Sequence, residues 1–80
     1  MFAEGQIVLY ADKNIGRVRR CRCRKAAGIG YPPRFHIVDL ETGEEFTVCV
    51  DNGLFTETRW DEAARMAANP IPYRRQRGDV

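Results

Sequence analysis

The sequence predicts a mainly β domain, a small antiparallel barrel of four to five strands with one short C-terminal helix. Short β-branched and aromatic runs at residues 6–11, 34–40 and 45–50 are bounded by turns rich in Gly, Pro, Asn and Asp. One of these runs, Glu45-Phe46-Thr47-Val48-Cys49-Val50, alternates cleanly between polar and apolar residues. The chain has only 80 residues, and such a chain buries about 60–65% of its unfolded surface. A sheet this small must curl on itself to cover its inner face, which is the geometry of SH3- and Tudor-like barrels.

Taken in order, residues 6–11 form a first strand, and Asp12-Lys13-Asn14 supplies turn chemistry in which Asn14 takes the left-handed backbone and Gly16 continues the turn. A long, exposed second strand spans about residues 15–24. Gly28, Gly30, Pro32 and Pro33 make residues 26–33 a loop. Residues 34–40 form a third strand, Glu41-Thr42-Gly43-Glu44 a hairpin turn, and residues 45–50 a fourth strand. On the fourth strand Phe46, Val48 and Val50 point inward, and Glu45, Thr47 and Cys49 outward. After the turn Asp51-Asn52-Gly53, Leu54 and Phe55 complete the core. Thr58 reads as an N-cap with Asp61 in capping-box position, opening a helix over about residues 59–68 that Asn69-Pro70 ends. Trp60, Ala64 and Ala67 share one helical face, so Trp60 is expected to anchor the helix. The domain covers residues 1–69, and residues 70–80 form a basic, flexible tail.

Charge is unevenly placed. Six of the nine residues at 17–25 are Arg or Lys, nearly half of the thirteen in the chain. Between Lys13 and Ile37 there are eight basic residues and no acid, whereas between Asp39 and Glu62 there are eight acids and one base. The two blocks either steer partners or neutralise each other in the fold. As a direct nucleic-acid surface, Arg17, Arg19, Arg20, Arg22, Arg24 and Lys25 would displace counterions from phosphates. As a protein-binding surface, Arg19, Arg22, Arg24 and Lys25 would meet carboxylates, with Glu45, Thr47 and Cys49 on an adjacent edge. A plain alternative is a charged edge strand that prevents aggregation.

Cys21, Cys23, His36 and Cys49 hold the donors of a tetrahedral zinc site. The Cys-x-x-Cys turn usual in such sites is missing, and Arg20, Arg22 and Arg24 would repel a dication while lowering the thiol pKa values. Small, half-buried packing residues are the expected role, with no metal or cofactor. The odd cysteine count excludes a fully paired disulfide framework. Catalysis has little to draw on, since the chain has no serine, one histidine and no phosphate-binding Gly-rich loop. No apolar run approaches the ~20 residues of a membrane span, and residues 1–5 lack the pattern of a secretory signal, which points to the cytoplasm.

The stretch Phe2-Ala3-Glu4-Gly5-Gln6-Ile7-Val8-Leu9-Tyr10, its following turn Asn14-Ile15-Gly16, and Val48-Cys49-Val50-Asp51-Asn52 with Thr58-Arg59 together resemble a known family. They are similar to the RNA polymerase interaction domain of CarD-type proteins and transcription-repair coupling factors. Cys49 and Ala11 stand where that family carries prolines, and its helical DNA-binding domain has no counterpart here. The resemblance implies a Tudor-like barrel that adds a sheet edge to the polymerase β subunit. The chain would then be a transcription-associated adaptor and not an enzyme, either monomeric or paired with a second copy through an edge.

Overall fold

The computed structural model describes residues 2–69, and the expected tail at 70–80 lies outside the described residues. Five antiparallel strands form one sheet in the order β4-β3-β2-β1-β5. They are β1 (Ile7–Asp12), β2 (Arg17–Ala26), β3 (Arg34–Asp39), β4 (Glu45–Cys49) and β5 (Leu54–Thr56). A 3₁₀ turn over Val50–Asn52 separates β4 from β5, and a second over Glu57–Arg59 leads into the helix α1 (Trp60–Ala68). This is the small SH3-like class expected from the sequence, with the meander β1-β2-β3-β4 closed back onto β1 by β5.

The strands place apolar side chains on both faces. On the concave face Val8, Cys21, Cys23, Phe35, Ile37, Val48 and Leu54 are buried, with Phe2, Tyr10, Phe46 and Val50 packed around them. On the other face Leu9, Ala11 and Phe55 receive Ala63 and Ala67 of α1, with Val18 and Met66 at the margin. Leu54 and Phe55 therefore close two different cores, because consecutive strand residues point to opposite faces.

Several expectations need correction. The basic strand is the centre of the sheet and not an edge, since β1 and β3 flank it on either side. Trp60 does not anchor the helix. It is 46% exposed, and α1 approaches the sheet through Ala63 and Ala67, small side chains four residues apart on one face. Thr58 is not the N-cap either. Arg59 holds that position without a side-chain cap, and the Thr58 hydroxyl pairs with that of Thr56 at 3.0 Å. In the β1–β2 turn Gly16, and not Asn14, takes the left-handed backbone.

Candidate nucleic-acid interface

Alternation along β2 sorts the basic stretch into two sets. Val8 opposes Cys21 and Ile37 opposes Cys23, so the odd-numbered residues share the concave face. Arg20, Arg22 and Arg24 occupy the convex side and are exposed. The register shifts between Cys23 and Lys25, so that Lys25 stands opposite His36. His36 lies between the buried Phe35 and Ile37 and must face outward, and its cross-strand neighbour Lys25 does the same. The extra residue of this bulge lets two consecutive cations, Arg24 and Lys25, serve one surface. Arg34, in phase with His36 on β3, adds a third cation beside them.

The outer face is unevenly neutralised. Arg20 pairs with Glu57 at 2.7 Å, and Arg22 Nη1 donates to the Gly5 carbonyl at 3.1 Å. Arg24, Lys25 and Arg34 make no ion pair with a carboxylate among the described residues. His36 Nδ1 lies 2.8 Å from the Thr47 hydroxyl, which fixes the ring at the rim of this cationic cluster. Arg17 is exposed at the far end of β2, away from the cluster. Arg34 was not among the residues singled out from the sequence. The period-2 pattern of residues 34–39 could have found it, because Arg34 is in phase with the outward positions.

Arg19 belongs to the opposite face. Its Nε lies 2.8 Å from Asp12 Oδ2, and its Nη1 lies 2.8 Å from Asp39 Oδ2 and 2.9 Å from Glu44 Oε1. The guanidinium also sits 4.7 Å above the Phe46 ring. Its hydrogen bonds to Asp12 and then Asp39 raise its pKa further, so it is permanently charged. Arg19 is thus an internal tie between β1, β2 and the β3–β4 hairpin, and not the partner contact expected of it. Its odd position in the strand puts it on the same face as Cys21.

The cysteines also differ from expectation. Cys21 and Cys23 are fully buried core residues, not half-buried ones. Burial, then Asp39, pushes the Cys21 thiol up to about 12, and burial also raises Cys23. Arg20, Arg22 and Arg24 do not lower these values because they point to the other face, and the lowering that Arg19 exerts on Cys21 is outweighed by burial. The four potential zinc donors are split by the sheet, with Cys21 and Cys23 inside and His36 and Cys49 outside. Among the described residues no group of three potential ligands comes together.

Strand β4 is an edge of the sheet. Asp39 N donates to Glu44 O, and Val50 N donates to Pro33 O, each at 2.8 Å. Antiparallel pairing alternates along the strand, so the backbone groups of Phe46 and Val48 turn toward β3 and those of Glu45, Thr47 and Cys49 turn away. Side chains of the same three residues face outward on the convex surface. No described helix is long and apolar enough to cross a membrane. Comparisons with protein-family models, curated proteins and solved structures each give no match.

Proposed function

We propose that this chain is a non-enzymatic binding module that grips the phosphate backbone of nucleic acid through the convex face of β2 and β3. The observation that carries this is the cluster of Arg24, Lys25 and Arg34, which have no carboxylate partners among the described residues and lie beside Arg22. Each contact of such a cation with a phosphate releases a condensed counterion. Arg17 and Arg20 contribute at longer range, and Arg19 does not take part.

The test is fluorescence anisotropy with labelled duplex DNA, single-stranded DNA and RNA over a salt series. Three to four phosphate contacts predict a log–log salt slope of about −3 on duplex DNA. The pair Arg24→Glu and Lys25→Glu should remove binding, while Arg17→Glu should weaken it only slightly. No binding to any of the three at low salt would overturn the proposal.

The β4 edge favours a second use. The backbone groups at Glu45, Thr47 and Cys49, unpaired among the described residues, suit strand addition by a protein partner, the mode that the CarD-type resemblance implies for the polymerase β subunit. The same module would then act as a cytoplasmic, transcription-associated adaptor that also touches nucleic acid. A Thr47→Pro variant removes an outward N–H and leaves the β3 side of the ladder intact. A tagged chain should recover polymerase from its host and the variant should not. Recovery of no polymerase subunit by the unaltered chain ends this second reading.

A further inference from the structure

Strand β2 outruns its neighbour. It is paired with β1 from Arg17 onward, but β3 reaches it only at Cys21. Beyond that point Leu40 N donates to Arg20 O at 2.9 Å, and the chain then turns away into the hairpin. The bonds Cys23 N to Gln6 O and Gly5 N to Cys23 O turn the odd-numbered backbone groups of β2 toward β1. The N–H and C=O of Val18 therefore point to the vacated β3 side, where no backbone group among the described residues meets them.

A groove of about 580 Å³ opens beside this unpaired stretch. Ile15, Val18, Leu40 and Trp60 give it apolar walls. Ile15, Leu40 and Trp60 are 46%, 42% and 46% exposed, and they are three of the five large hydrophobic residues that are exposed among the described residues. The charges around the groove are mostly paired, Arg19 with Asp39 and Glu44, and Arg20 with Glu57. Arg17 on the rim has no carboxylate partner among the described residues.

We infer that the groove between Trp60 and the β3–β4 hairpin is a second binding site, which takes an extended peptide segment of another protein. The peptide backbone pairs with Val18 in the line that β3 leaves empty. One bulky apolar side chain enters between Leu40 and Trp60, and an acidic residue beside it meets Arg17. An open backbone edge next to an apolar pocket suits strand addition, with main-chain bonds supplying affinity and the pocket selecting the side chain. This site lies away from both the Arg24–Lys25–Arg34 cluster and the β4 edge, so its failure would leave the proposed function untouched.

The experiment selects a phage-displayed random dodecapeptide library on the full chain, with counter-selection on Leu40→Asp. The expected consensus is an apolar residue next to Asp or Glu. The synthesised peptide should shift the emission of Trp60, the only tryptophan in the chain. It should also slow hydrogen exchange at the Val18 amide. Affinity should fall at least tenfold in Arg17→Glu and in Ile15→Asp, two exposed positions whose variants are first shown to fold by circular dichroism. The inference is overturned by a library that enriches nothing over counter-selection, or by enriched peptides that protect Thr47 instead of Val18. It is also overturned by a concentration-dependent dimer that Leu40→Asp abolishes, which would assign the groove to a second copy.

Discussion

Arg19 Nη1 stands 2.8 Å from Asp39 Oδ2, across 20 positions of sequence. The other oxygen of Asp39 accepts the backbone N–H groups of Glu41 at 2.7 Å and Thr42 at 3.1 Å. One buried carboxylate therefore holds the β3–β4 turn in shape and fastens it to the central strand. Asp12 does the same from the β1 side, using Oδ2 for Arg19 and Oδ1 for the Asn14 N–H. Removing the arginine would leave two buried carboxylates facing each other without a cation. Arg19→Met should therefore cost about 3–5 kcal/mol in urea denaturation. Arg19→Lys should recover only part of this, because an ammonium cannot serve two carboxylates with a planar fork. A loss below about 1 kcal/mol in Arg19→Met, the level of an exposed ion pair, would show that the tie is only a surface contact.

Acid should loosen the same network. Burial alone would raise the Asp39 pKa, but hydrogen bonds from Arg19 and from the Glu41 and Thr42 amides outweigh it and hold the carboxyl below its usual value. The folded pKa is thus below the unfolded one of about 3.9, so the stabilisation is complete above that pH. It is lost as pH falls through the folded value. The urea midpoint should drop below about pH 4. Asp39→Asn should be weaker than the unaltered chain at neutral pH and should show a shallower acid slope. Parallel slopes for the two proteins would remove Asp39 from the account.

The thiols should separate by face. Cys49 is partly exposed on the outer side of β4, whereas Cys21 and Cys23 are sealed in the core. With an aromatic disulfide reagent, one equivalent should react in the native state and three in denaturant. Fast native reaction of more than one thiol would contradict the burial of β2. Cys21→Ser places a hydroxyl among apolar groups and should cost about 1–3 kcal/mol.

Gly53 packs closely against Ala11 of β1 and Met66 of the helix. Its φ is 111°, and a Cβ there would lie 3.2 Å from both Ala11 Cβ and Ala11 O and 3.3 Å from Met66 Sδ. Its carbonyl also accepts the Ala11 N–H at 2.9 Å. Gly53→Ala combines backbone strain with crowding, and about 1–3 kcal/mol is expected. In a domain of this size each kcal/mol lowers Tm by about 4–8 °C. An unchanged Tm would mean that α1 can move away from β1 at no cost.

How much of this was legible depends on the residues concerned. The Phe46 and Val48 pattern told inside from outside on β4, because these apolar side chains fall in one phase of the strand and the polar Glu45 and Thr47 in the other. At residues 17–25 the same test had no contrast to read. Arginines occupy both phases of the strand, and cysteine is neither clearly polar nor clearly apolar. For α1 the size of Trp60 suggested an anchor, yet packing favoured the alanines, which let the helix come close to Gly53 and Ala11.

The sequence by itself determined the element types, the turns, the curled antiparallel class and the concentration of positive charge on one strand. These are local properties, set by backbone preference and short-range alternation. Only the tertiary structure decided which arginine is which. A strand acquires its faces from what pairs on either side, and β2 has β1 and β3 as neighbours. Arg19 was thereby turned toward carboxylates that lie seven and 20 residues away in sequence. Arg22, Arg24 and Lys25 were turned toward solvent, where Arg34 joins them from the neighbouring strand.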